Sequence, residues 1–170
     1  MLYFAYGSNL DPDQMQRRCP GHIVVGLGAL HDYKLVFPRH SHDWGGGVAS
    51  VQPSHAATVW GVVYDLTDAH VATLDTYEGF HSPGDPHNGY EREGVYVELT
   101  RPDDGSVPRR VRVQVYVGRP AYPSPPSRRY LEAIVKGAKH HRLPGEYVAS
   151  MAATHVVPEP PASEDAPASS

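Results

Sequence analysis

Glu78 is the first residue whose type and position suggest chemistry. A helix reads from Thr67-Asp68 to about Tyr77, with the Thr hydroxyl as cap and the Asp carboxylate in the first turn, where the helix dipole favours negative charge. Val71 and Leu74 mark its buried stripe. Four residues further the stripe lands on Glu78, just before Gly79, a residue suited to end the helix. An acid thus stands where an apolar side chain is expected, at the negative end of the dipole, and both circumstances raise its pKa. Such a carboxyl facing a partly dry cavity suits proton transfer near neutral pH. Spacing alone leaves two other readings: a core glutamate held by a basic partner, or a solvated one beyond a helix that ends a residue early.

A second candidate lies in the first ten residues. Tyr3-Phe4-Ala5-Tyr6 reads as a short buried strand running into Gly7-Ser8-Asn9-Leu10, and Asp11-Pro12 opens a helix with a capping carboxylate and a preset φ. Gly7 lets backbone approach a ligand, and N–H groups at such a junction can hold an anion. The same residues also serve as a plain strand-to-helix turn. Further along, Ser127 caps a helix whose apolar stripe is Tyr130 or Leu131, Ile134, Val135 and Ala138, so Tyr130 faces inward, to fill the core or to meet a ligand.

The 170 residues that carry these groups suit one compact domain, expected over residues 1–157. Pro12 to Arg18 forms a short helix closed by Cys19-Pro20-Gly21. Ile23 to Val25 and Tyr33 to Phe37 are extended, with Gly26 and Gly28 placed as at a barrel bend. Val48 to Val51 and Val59 to Tyr64 read as two strands separated by a Pro53-Ser54-His55 turn. The intervening Gly45-Gly46-Gly47 lacks a phosphate-loop signature and suits close backbone packing. Residues 81–90 form a loop placed to overlie a pocket mouth. Val95 to Leu99 and Val111 to Val117 form a hairpin turned at Asp103-Asp104-Gly105. Gly137 is a weak point at which the Tyr130 helix could end, and a short helix follows near Glu146 to Met151. Residues 158–170, rich in Pro, Ala, Ser and acids, are expected to be disordered.

Composition narrows the function classes. Glu159, Glu164 and Asp165 account for three of the four net negative charges, leaving a body with no basic field, so neither nucleic acid nor membrane is expected as a partner. Arg109-Arg110 and Arg128-Arg129 read as solvated faces. Cys19 is the sole cysteine, expected to be inert, and a reducing cytoplasm is the expected location, with neither a leader nor a membrane span expected. The eleven histidines, including His40-Ser41-His42-Asp43, His81 with His87, and His140-His141, fall in loops or at helix ends and make poor ligand sets, so no metal is expected.

The ordered set Tyr3-Phe4-Ala5-Tyr6-Gly7-Ser8-Asn9-Leu10, Trp44-Gly45-Gly46-Gly47-Val48-Ala49, Val59-Trp60-Gly61-Val62-Val63-Tyr64, Leu74-Asp75 with Glu78-Gly79, then Pro125, Tyr130, Lys136-Gly137-Ala138, Leu143-Pro144 and Glu146-Tyr147 resembles the γ-glutamylcyclotransferases of the AIG2-like superfamily. The resemblance covers about residues 2–148. It implies an α+β fold, a small mixed β-barrel flanked by helices, with residues 3–8 lining a cavity for the γ-glutamyl group. It implies Glu78 as the acid–base residue. Substrate contacts would come from Tyr3, Phe4, Ala5, Tyr6, Gly7, Ser8, Asn9, Tyr90 and Tyr130, with no cofactor. The expected partner is a small γ-glutamyl substrate, and the expected assembly a monomer or homodimer. Residues 81–89 are longer than the family form. Rival expectations are a cyclotransferase for γ-glutamyl amines or for a biosynthetic intermediate, and a non-catalytic module that binds an acidic metabolite.

Overall fold

The chain alternates short helices with long, bent strands, and the bends fall where glycine, proline or a left-handed residue permits them. The computed structural model describes residues 1–101 and 105–158. Strand β1 (Leu2–Ala5) passes through a single 3-10 turn at Ser8–Leu10 into helix α1 (Pro12–Arg18), capped as expected by Asp11, whose carboxylate accepts the Asp13 N–H. Strands β2 (Ile23–Ser41) and β3 (Gly46–Asp65) follow, then helix α2 (Asp68–Glu78). The hairpin β4 (Tyr90–Thr100) and β5 (Arg109–Gly118) precedes helices α3 (Arg128–His140) and α4 (Gly145–Ala152). The five strands close into a barrel in the order β1-β3-β2-β4-β5, antiparallel except where β5 meets β1 at Tyr3 and Gln114.

Several expectations change. The two strands foreseen at 48–51 and 59–64 are one, because Pro53-Ser54-His55 is absorbed as an irregularity opposite His31 and Tyr33 rather than forming a turn. Asp32 and Ala56 both take positive φ there, and the Ala56 N–H donates to the Asp32 carboxylate, which holds the bend without ending either strand. Gly137 does not end α3. An added Cβ at this position would lie 2.3 Å from the Leu10 carbonyl carbon, so the glycine is the contact surface on which α3 crosses the turn after β1. His40 lies within β2 rather than in a loop. Close packing at Gly46 and Gly47 is as expected, since added Cβ atoms would strike Ser127 N and Ser124 O, whereas Gly45 turns with φ +69°.

The core runs through the barrel and under α3, with Phe4, Leu10, Met15, Leu30, Tyr64, Leu74 and Ile134 almost fully buried. Cys19 is buried too, and burial pushes its thiol up to about 11, in keeping with an inert role. Among the described residues, no helix is long and apolar enough to cross a membrane. Asp103 and Asp104 of the hairpin turn, and all of the tail after Pro158, lie outside the described residues.

Candidate active site

Glu78 is the last residue of α2, and Gly79 closes the helix in the left-handed conformation at φ +62°. The helix axis therefore ends with its negative pole at this carboxyl. Its side chain keeps 16% exposure, all that a cavity wall leaves it. Burial is the main force raising its pKa above the ordinary 4.5, opposed by the Arg18 guanidinium and by a hydrogen bond from Asn9. Arg18 Nη1 stands 3.7 Å from Glu78 Oε1, so a basic neighbour is present, yet its nearer contact is with Asn9 Oδ1 at 2.9 Å.

Asn9 is the hub of this arrangement. It is 4% exposed, and all four of its amide positions are occupied. Nδ2 donates to Tyr3 Oη at 2.9 Å and to Glu78 Oε1 at 3.2 Å, while Oδ1 accepts from Gln14 Nε2 at 3.0 Å and from Arg18. Donors thus meet acceptors on both sides, which fixes the amide orientation. Gln14 and Arg18 are one helical turn apart on α1 and reach the same oxygen, so the strand, the turn and α1 together aim Asn9 at Glu78. Sequence reasoning missed this role, reading Asn9 only through its backbone; the i, i+4 spacing of Gln14 and Arg18 on an otherwise polar helix was the available signal.

Two cavities meet at Glu78. The larger, about 650 Å³, is open to solvent and is walled by Ser8, Arg18, Arg39, Trp44, Glu78, Tyr90 and Tyr130 among others. A small inner recess of about 30 Å³ lies against Tyr3, Tyr6, Gly7, Ser8, Asn9 and Tyr116, and shares Ser8, Glu78, Tyr90 and Tyr130 with the outer space. The structure therefore brings together Glu78, Tyr3, Tyr6, Gly7, Ser8, Asn9, Tyr90 and Tyr130. Phe4 and Ala5 line neither space. Strand alternation turns the Phe4 ring onto the backbone of Gly28 and Gly61, where added Cβ atoms would lie 2.9 and 2.7 Å from it, and Ala5 pairs with Val62.

The recess is rich in phenols held neutral. Burial, helped by the nearby Glu78 charge, raises the pKa of Tyr3, Tyr6, Tyr90, Tyr116 and Tyr130. Three of their hydroxyl protons are committed: Tyr6 to the Tyr116 carbonyl, Tyr90 to the Ala49 carbonyl at 3.0 Å, and Tyr116 to Asp75 at 2.7 Å. Asp75 is in turn gripped by both oxygens through Arg92. Tyr130 differs, for its hydroxyl accepts the Ala49 N–H at 2.9 Å and lies beside Ser8, whose N–H and hydroxyl both favour the ionised phenol. Tyr130→Phe leaves that buried N–H without its acceptor and is expected to lower stability by about 1–3 kcal/mol in denaturant unfolding. An unchanged midpoint would mean that the Ala49 bond contributes nothing.

The loop before β4 is organised around Asn88, 3% exposed, which accepts the His81 N–H at 2.8 Å and donates to the Ser82 carbonyl and Glu91. It overlies the cavity edge as expected, supplying His87 and Gly89 to its wall. Among the described residues, no three of the His, Cys, Asp and Glu side chains are grouped as a metal site would need.

Known proteins are similar to this chain in both sequence and architecture. A family model described as gamma-glutamyl cyclotransferase, AIG2-like, matches residues 3–137. A gamma-glutamylcyclotransferase of Mus musculus is 33% identical over 150 residues, covering 86% of this chain and 74% of the relative, and one from Homo sapiens is 32% identical over the same shares. A solved structure named gamma-glutamyl cyclotransferase superposes with a TM-score of 0.78 at 29% identity, covering 92% of this chain and 89% of the other. With a match over most of its length, an aligned barrel and an acid at the mouth of a phenol-lined recess, the chain belongs to the gamma-glutamyl cyclotransferase, AIG2-like family.

Proposed function

We propose that this protein, as one domain over residues 1–157, is a γ-glutamylcyclotransferase that converts a γ-glutamyl amine or amino acid to 5-oxoproline and the free amine. The observation that carries the reading is the Glu78 carboxyl, raised in pKa, tethered by Asn9 and opening onto a recess flanked by the Gly7-Ser8-Asn9 turn. The substrate's own α-nitrogen is the nucleophile. Folding the glutamyl chain back against Glu78, at the mouth of the recess, makes the attack intramolecular, the kind of positioning that contributes several kcal/mol to rate, roughly 7–11 at best.

Glu78 acts as base and then as acid. Its carboxylate takes a proton from the attacking nitrogen, the new C–N bond closes a five-membered ring, and the γ-carbonyl oxygen becomes an oxyanion. As that oxyanion collapses, the bond to the leaving nitrogen breaks and the protonated Glu78 returns a proton to it. Backbone N–H groups of Gly7, Ser8 and Asn9 would hold the glutamyl carboxylate or the oxyanion, with Tyr130 beside Ser8. The neutral phenols supply donors and acceptors without adding charge to a site that already holds an acid. The buried, inert Cys19 fits a reducing cytoplasm.

A panel of γ-glutamyl compounds scored for 5-oxoproline tests the reading. Release from γ-glutamyl amino acids is the expected result. Turnover confined to γ-glutamyl amines would move the assignment to that rival, and tight binding with no release would make the barrel a binding module.

A further inference from the structure

The outer cavity carries an arginine that the cyclisation chemistry does not use. Arg39 is half-buried in the cavity wall, and among the described residues its guanidinium has no carboxylate within 4.0 Å and no hydrogen-bond acceptor. The other cavity arginines are engaged. Arg18 is held by Asn9 and lies over the Tyr77 ring, and Arg129 donates to the Asp43 carbonyl and stacks over Trp44.

Arg39 is also placed with care. Val36 pairs with Ser50 and Arg39 with Val48, so β2 carries one more residue than β3 between these two pairs, and the bulge re-aims the side chain that follows it. Pro38 sits in the bulge, and a strap from the other side fixes the backbone: Ala121 N donates to Pro38 O at 2.9 Å, and His40 N to Ala121 O at 3.0 Å. The guanidinium end comes to rest beside Gly89. A Cβ built there would lie 3.7 Å from Arg39 Nη2 and 2.9 Å from the Glu78 backbone carbonyl, which sets the free cation near the end of α2, in the wall of the cavity that Glu78 also lines. Its charge also bears on Tyr90. Burying part of a charged fork without a partner is unfavourable unless a ligand supplies the anion. Asp43 is at the exposed rim and its backbone takes Arg129; Glu78 is held by Asn9; His40 is bonded to Ser124 and His87 to Asp85.

We propose that Arg39 is the specificity-determining residue that reads the carboxylate of the leaving amino acid or short peptide. The inference rests on the cyclotransferase reading and names the residue that selects among its leaving groups. With the glutamyl half held in the larger cavity against Ser8 and Tyr130, at the mouth of the recess, the scissile bond lies near Glu78 and the leaving half extends past Gly89 towards Arg39. A planar guanidinium meets a carboxylate with two parallel hydrogen bonds, which an uncharged amide cannot reproduce.

The test compares γ-glutamyl-alanine with γ-glutamyl-alaninamide, which are near-identical in shape and differ in charge. The wild-type protein is expected to favour the acid by about 10- to 100-fold in kcat/KM, mainly through KM. Arg39→Met should bring that ratio towards one, and Arg39→Lys should restore part of it. Equal losses on both compounds would overturn the proposal, because Arg39 would then serve the glutamyl half or the fold; so would a wild-type ratio near one. Calorimetric binding of the same pair to Glu78→Gln, with and without Arg39→Met, reads the carboxylate preference without turnover. If no 5-oxoproline forms from either compound, the cyclotransferase reading fails. The binding ratio then still decides Arg39: a preference that Arg39→Met removes supports the carboxylate site, and equal binding overturns it.

Discussion

Glu78→Gln is expected to lower 5-oxoproline production by about two to four orders of magnitude, the usual cost of losing a general base, while the protein stays folded. Gln keeps the size and can still accept the Asn9 bond, but it cannot take the proton from the attacking nitrogen. Stability should hold or rise slightly. The native protein binds the Glu78 proton more tightly than the unfolded chain, since the folded pKa is raised above the ordinary 4.5. Wild-type stability therefore falls as pH rises from the unfolded to the folded pKa, and above the folded value the cost of ionising a buried acid is fully present. The variant has no such cost. Its melting temperature should match or exceed that of wild type at neutral pH and lose any advantage below about pH 4.5. Loss of the Arg18 contact offsets this little, because that contact is long and Arg18 keeps Asn9. The same shift places the acid limb of the wild-type kcat/KM profile above the ordinary carboxylate range. Near-normal turnover of the variant would remove Glu78 from the chemistry, and a large fall in melting temperature would make it a structural residue.

Gly137→Ala is the substitution expected to damage fold and site together. In an ordinary helix interior, Gly to Ala stabilises by roughly 0.5–1 kcal/mol. The sign reverses in α3, because the new methyl would lie 2.3 Å from the Leu10 carbonyl carbon, 2.4 Å from its oxygen and 2.6 Å from Asp11 N, all backbone that cannot rotate away. Relief requires α3 to move off the turn at Ser8–Leu10, and overpacking of this kind costs about 1–3 kcal/mol or more. At this chain length each kcal/mol lowers Tm by roughly 2–4 °C. The shift also separates Tyr130 on α3 from Ser8 on the turn, so activity should fall further than stability explains. A variant as stable and active as wild type would show that the crossing is loose enough to absorb a methyl.

Much of this protein was determined by local rules that a sequence exposes. Asp11 with Pro12, Thr67 and Ser127 begin helices because each places an oxygen or a preset φ where the first turn needs it, and the structure has those caps. The 3.6-residue stripe carried Glu78 to the buried side of the last turn of α2, and Gly79 closed it, for reasons contained within twelve residues. Tertiary structure decided what depends on partners far apart in the chain. Whether Glu78 met a base, solvent or an amide depended on Asn9 and Arg18, 69 and 60 positions away. Gly137 looked like a helix end because propensity is counted one residue at a time, whereas the Leu10 backbone lying against it is visible only once α3 crosses the turn. Pro53-Ser54-His55 looked like a turn because it has turn chemistry, and it became a bend because β2 pairs on both sides of it. Phe4 shared a motif with Tyr3 but not a destination, since strand alternation turned it to the other face, where Gly28 and Gly61 leave room for its ring. Arg39 carried no signal in its neighbours, because a one-residue bulge and a strap from residue 121 are what turn it towards the cavity.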